Sequence, residues 1–160
     1  RQRQMCIRDS DTYGCCVAGS LIPGTEKFGM LPEKLMEELL YLADEILIEA
    51  DGSAHMPVKA PAEHEPVLFP YMDEVVIVMG AHAIGKPLQE VCHRADYAKK
   101  ILKCAADKIV TAADLETLAE QGYAIPIQKQ FPWMKISKVT GKDIKLCLTA
   151  EKKDKERDKQ

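Results

Sequence analysis

Four prolines, Pro57, Pro61, Pro66 and Pro70, crowd one short stretch of this chain. Each fixes one backbone angle and disfavours helix in the residue before it. The stretch from Asp51 to Pro70 is therefore expected to be a long, stiff loop. Ordered loops of that length in compact domains are more often functional than idle.

What leads into the loop points to chemistry. Ile46, Leu47 and Ile48 are apolar without alternation, the pattern of a central strand covered on both faces, predicted over Glu45–Ala50. The run ends in Glu49, Asp51, Gly52 and Ser53. In open α/β sheets, ligands sit outside the carboxyl ends of the strands. Glu49 and Asp51 are two apart, so in a strand they face the same side, where one or both can hold Mg²⁺ beside nucleotide phosphates. Gly52 lets the backbone turn and approach a phosphate, and Ser53 can donate a hydrogen bond. Lys59 can meet an anion or pair with Glu49 or Asp51. Glu63, His64 and Glu65 are consecutive and cannot all face one ligand. His64 can carry a proton, ligate a metal, or hold the loop in shape. His93 and Arg94 precede a predicted helix and can bind an anion at its N-terminus. The plainer alternative is a strand end with a solvated acidic turn.

Around this segment the pattern predicts strand, helix, strand, loop, strand, helix, the order of an α/β layer fold with parallel strands. Cys15–Ile22 reads as a strand closed by Pro23-Gly24. Pro32 suits the first turn of a helix that runs to about Ala43, with Leu31, Leu35, Leu39 and Leu42 packed on a sheet. Glu74–Met79 reads as a second buried strand. A helix is predicted over Arg94–Ala106, with Tyr97, Ile101 and Leu102 inward. Another begins at Thr111, with Asp114 at its positive end and Gly122 at its exit. Gly80 through Pro87 nearly spells a phosphate-binding loop, G-x-x-x-x-G-K-[ST], but Pro87 stands where the hydroxyl belongs, so it reads as a turn opened by two glycines. From Lys129 the pattern decays, Ile144–Leu148 is a strand or nothing stable, and Glu151–Gln160 is a mixed-charge tail. Residues 1–10 lack periodicity, and their string resembles translated sequencing adapter. They are expected to be non-native or disordered, with the α/β domain over 11–127 and a poorly defined charged segment over 128–160.

Composition narrows the class. The 160 residues are 46% hydrophobic and 29% charged, with a formal net charge of -3, so no basic field recruits nucleic acid. The run Val75–Met79 is too short to span a bilayer, and no signal peptide is visible. Six cysteines form no CxxC pair, so zinc-site spacing is absent and reduced thiols in a cytoplasmic protein are expected.

Glu49-Ala-Asp-Gly-Ser53, Lys59-Ala-Pro-Ala-Glu-His-Glu-Pro66, Gly80 through Leu88 and His93-Arg94 together resemble the YqeC family, described as selenium cofactor biosynthesis or selenium-dependent hydroxylase accessory proteins. The resemblance spans roughly Val17 to Arg94. It implies a P-loop NTPase-like domain, here a partial three-layer, mostly parallel sheet lacking its N-terminal phosphate-binding unit. The family's G-G-K-T loop has no match upstream of Cys15, and its later N-K-x-D-like segment is not matched by Lys135–Lys142. By position, Glu49 and Asp51 resemble the strand-end acids that face Mg²⁺ and nucleotide, with Gly52, Ser53, Lys59, His64 and Arg94 around the ligand. The resemblance implies Mg²⁺ and ATP or GTP as cofactors of an intact member, no productive nucleotide binding by this fragment, and a selenium-dependent molybdenum hydroxylase or its cofactor machinery as partner. The expected function is a nucleotide-dependent maturation factor. The alternatives are a non-enzymatic scaffold that docks a client on the acidic Pro-rich loop, and a metal-dependent hydrolase using Glu49, Asp51 and His64.

Overall fold

The computed structural model describes residues 17–25 and 28–141, and the chain divides into two compact units, Arg1–Ile48 and Glu49–Gln160. In the first unit, β1 (Ser20–Leu21) pairs antiparallel with β2 (Phe28–Gly29). The turn between them starts at Pro23-Gly24, with Gly24 at φ 77° and the Thr25 N–H donating to Ile22 O at 3.1 Å. The expected strand over Cys15–Ile22 is thus short and belongs to a hairpin, and its first two residues lie outside the described residues. Helix α1 (Glu33–Leu42) follows Pro32 as expected. Its leucine face does not pack as predicted: Met36 is buried, whereas Leu35 and Leu42 are exposed. Helical spacing marks a stripe but cannot say which edge of it finds a partner.

The predicted central strand over Glu45–Ala50 is not one. None of its residues joins a sheet among the described residues, Leu47 is 64% exposed, and the boundary between the two units falls inside the run. A continuous apolar run becomes a central strand only when a neighbour offers a hydrogen-bonding edge on either side. Here the Ala50 carbonyl accepts from Val67 N–H at 3.3 Å within the loop instead.

The second unit holds two small parallel sheets. Strand β3 (Val58–Lys59) pairs with β5 (Cys92–His93), Lys59 in register with His93. Strand β4 (Glu74–Gly80) pairs in parallel with β6 (Lys135–Gly141), Ile77 in register with Lys138. Among the described residues, the architecture is mixed α/β, with two parallel pairs in this unit and an antiparallel pair in the first, rather than one extended sheet of three layers. Strand β6 falls where the sequence pattern decays. Lys138 shares the face of buried Ile77, which hides the alternation, and it is held there by Glu116 and Glu120. The predicted strand over Ile144–Leu148 lies outside the described residues.

Between these pairs, a 3-10 turn (Ala81–Ala83) and a short helix α2 (Leu88–Val91) carry the chain into β5. Gly80 allows close approach: a Cβ there would lie 2.8 Å from Pro57 O. Gly85 turns at φ 85°, its N–H donating to Val110 O at 2.9 Å, so Gly80–Leu88 is the glycine-opened turn expected. Helix α3 (Ala95–Leu102) is shorter than predicted, because Arg94 and Lys103, both left-handed, bound it. Ala98 is its buried residue. Tyr97, expected inward, is 37% exposed beneath the Lys100 ammonium, which lies 5.3 Å from its ring centroid.

Helix α4 (Ala112–Thr117) opens with a capping box: Thr111 Oγ1 accepts from Asp114 N–H at 3.3 Å, and Asp114 Oδ2 accepts from Thr111 N–H at 2.9 Å. The predicted exit at Gly122 is absent. The helix runs on through a π-helical segment (Leu118–Ala124) into α5 (Ile125–Gln130). Gly122 serves packing instead, since a Cβ there would meet Ile101 Cδ1 at 3.3 Å and Pro61 Cδ at 3.4 Å. Leu88, Leu115 and Leu118 are fully enclosed beside Val58, Met79 and Val110, each leucine contributing roughly 1.5–3 kcal/mol by burial. Beside this core, Pro61 of the proline-rich loop lies against Gly122 of the π-helical segment.

Candidate functional site

The parallel pairing of β3 and β5 brings two cations together. Lys59 ends β3, His93 is its register partner, and Arg94 comes next. Ala60 N–H donates to His93 O at 3.2 Å, which locks the two strand ends. Arg94 adopts φ 61°, a left-handed conformation that costs a non-glycine residue roughly 1–2 kcal/mol. That conformation turns the chain from β5 into α3.

Lys59 is 7% exposed. Its ammonium pairs with Asp51 Oδ1, donates to Gly52 O at 2.9 Å, and lies 3.0 Å from Glu65 Oε2. Arg94 Nη1 donates to the same Glu65 oxygen, and so does Ala62 N–H at 3.1 Å. Tyr123, from the π-helical segment, donates its hydroxyl to Asp51 Oδ2 at 2.9 Å, with Lys59 O at 3.4 Å. Two carboxylates and two cations thus form one half-buried network around the loop, tied to a phenol 72 residues away in the chain.

The electrostatics fix the protonation states. Burial works against a charged Glu65, but the hydrogen bonds from Arg94, Ala62 N–H and Lys59 outweigh it and hold the carboxyl at about 2, against an ordinary 4.5. Burial pushes the Tyr123 phenol far above its usual range, and Glu65 adds to the push, so it remains a donor at neutral pH. Burial likewise raises the Cys92 thiol to about 11, only partly offset by a backbone hydrogen bond from Ala60, and an un-ionised thiol is a poor nucleophile.

Of the residues singled out by sequence, Asp51, Gly52, Lys59 and Arg94 converge. Glu49 does not join them: it is exposed and outside the network, with its Oε1 3.6 Å from where a Cβ on Gly52 would lie. Ser53 is half-buried, and its carbonyl accepts from Met56 N–H at 3.0 Å across a turn in which Ala54 and His55 have φ of 52° and 63°. His64 is exposed on a turn. Among the described residues, no three His, Cys, Asp or Glu side chains converge to hold a metal ion, so a hydrolytic centre of Glu49, Asp51 and His64 is not assembled. Two members of the network were missed. Among three consecutive polar residues the sequence points to His64 rather than Glu65, although Pro66 after Glu65 restricts its backbone and marks it from its neighbours. Tyr123 gave no sequence signal, because a π-helical turn cannot be read from spacing.

Among the described residues, no helix is long and apolar enough to cross a membrane. No solved structure matches the chain. One relative, an uncharacterized protein YqeC of Escherichia coli strain K12, is 43% identical over 76 residues, which cover 47% of this chain and 30% of the relative. The chain therefore spans about a third of that relative's length. The sequence profile of the family described as YqeC protein matches residues 1–96, well over half of the 160, and takes in Asp51, Lys59, Glu65 and Arg94. On that match, the chain belongs to the YqeC family.

Proposed function

We propose that this chain is part of a nucleotide-dependent accessory factor that matures selenium-dependent molybdenum hydroxylases, with Asp51 as the acid that positions its cation. One observation supports the role given to Asp51: it is held between an ammonium and a phenol, beside the paired ends of β3 and β5, while the hydroxylase client rests on the resemblance of the family alone. A carboxylate fixed in this way is a fitting hard-oxygen donor for Mg²⁺, which commonly takes only one or two protein carboxylates and leaves the rest of its shell to water and phosphates. Bound Mg²⁺ would neutralise phosphate charge. Lys59 would leave Asp51 Oδ1 for the nucleotide, while Tyr123 keeps Oδ2 in place. Glu49, exposed nearby, can reach the ion through water.

The test is titration of Mg-ATP and Mg-GTP into this chain and into a family member that carries the G-G-K-T loop. Tighter binding by the longer protein, with its Mg²⁺ dependence lost in the variant equivalent to Asp51→Asn, is expected. Equal tight binding by both proteins, or Mg²⁺ dependence that survives the substitution, refutes the reading.

A second reading, a client-docking scaffold, draws on the electrical closure of the network. Asp51 and Glu65 already balance Lys59 and Arg94, and the loop they fasten leaves Glu63 and His64 exposed. It is favoured if Glu63→Ala with His64→Ala removes hydroxylase binding while nucleotide binding persists.

A further inference from the structure

Glu65 offers one oxygen, Oε2, to three donors. Ala62 N–H lies 3.1 Å away, the Lys59 ammonium 3.0 Å, and the Arg94 guanidinium donates as well. A backbone N–H, a lysine and an arginine converging on one point are the donor set that recognises a phosphoryl oxygen. The backbones that carry two of the three are fixed without Glu65. Lys59 and Arg94 are held at adjacent strand ends by the β3–β5 register and the bond from Ala60 N–H to His93 O. Glu65 itself comes from the loop and has no place in either strand.

We infer that Lys59, Arg94 and the Ala62 N–H form a cradle for a phosphoryl oxyanion, and that Glu65 is its resident occupant, which an incoming phosphate displaces. With Glu65 in place the two carboxylates and two cations cancel. With Glu65 swung out, the remaining Asp51, Lys59 and Arg94 leave one positive charge facing the vacated point. The lowered pKa of Glu65 agrees with a position built for an anion. This goes beyond the nucleotide reading, because the phosphoryl group can belong to a nucleotide or to free phosphate.

The experiment titrates inorganic phosphate into the full chain at constant ionic strength, followed by calorimetry. Glu65→Ala is expected to bind phosphate at least tenfold more tightly than the unaltered chain, and adding Arg94→Ala is expected to erase the gain. No gain in folded Glu65→Ala, or a gain that survives Arg94→Ala, overturns the inference. Glu65→Gln preserves the side-chain shape while removing its charge, and serves if the alanine variant does not fold. In the unaltered chain, phosphate at high concentration is expected to shift the Arg94 Nε–Hε resonance saturably, and an unmoved resonance also overturns the inference. ATP without Mg²⁺, titrated into Glu65→Ala, separates the sources: tighter binding than phosphate assigns the cradle to a nucleotide, and equal binding assigns it to the free ion. If the Mg-nucleotide titrations of the longer protein fail while Glu65→Ala gains phosphate, the nucleotide reading falls and the cradle stands.

Discussion

Replacing Lys59 with methionine removes the cation that three groups share while keeping most of its volume. Asp51 and Glu65 would then face each other with one positive charge fewer between them. Removing one partner of a buried ion pair costs roughly 3–5 kcal/mol. Their side chains remain 12% and 15% exposed, Arg94 still neutralises Glu65, and Tyr123 still donates to Asp51, so the lower end applies, about 3 kcal/mol. For a unit of roughly a hundred residues, that lowers Tm by on the order of 12 °C. Urea unfolding followed by the fluorescence of Trp133, the chain's single tryptophan, measures the loss. Because the cost comes from carboxylates left charged, the gap between Lys59→Met and the unaltered chain should narrow as pH falls below the ordinary glutamate value of 4.5. Lys138→Met is the control. Its partners Glu116 and Glu120 are exposed, so its loss should stay under about 1 kcal/mol. A Lys59→Met loss no larger than that of Lys138→Met, or one that does not change with pH, refutes the account of the network.

Three further outcomes are expected. Glu65 is more acidic folded than unfolded, so its contribution is complete above about pH 4.5 and is lost as pH falls toward 2. After solvent screening it is on the order of 2 kcal/mol, and Glu65→Gln should flatten that part of the acid-unfolding curve. Tyr123→Phe should cost about 1.5 kcal/mol in urea unfolding by removing a donor from a carboxylate, and its effect should be non-additive with Asp51→Asn. Gly80→Ala should cost roughly 1–3 kcal/mol by differential scanning calorimetry, because the new methyl meets Pro57 at 2.8 Å, whereas Gly85→Ala, with open space but φ 85°, should cost about 1 kcal/mol.

Local chemistry was legible in the sequence where a residue acts on its near neighbours. The hairpin turn at Pro23-Gly24, the start of α1 after Pro32, the Thr111–Asp114 capping box and the glycine-opened turn after β4 all follow from side chains acting over a few residues. The proline-rich loop was legible for the same reason, except that strand β3 (Val58–Lys59) falls inside the stretch read as loop and pairs with β5. Pairing was not. Ile46–Ile48 has the apolar continuity of a central strand, yet no edge among the described residues receives it, and Lys135–Gly141 lacks alternation, yet it pairs along its whole length with β4. Which strands meet depends on hydrogen-bonding edges supplied from elsewhere in the chain. The site shows the same division. Asp51 stood out at the end of a predicted strand that does not form, Lys59 as a cation of the proline-rich loop and Arg94 ahead of a predicted helix, while Tyr123 joins them across 72 residues through a helix whose phase no periodicity rule encodes.

That phase has a consequence for how the site tolerates change. A π-helical turn arises where a helix carries one residue more than regular winding needs. Winding Leu118–Ala124 as a regular helix with no residue removed would rotate everything after it by about 100° relative to α4. The Tyr123 ring would swing off Asp51 although no side chain of the network had been altered. The wider winding absorbs the surplus residue and keeps Tyr123 in phase with the acid, so one residue can be lost there while the tyrosine keeps its bearing.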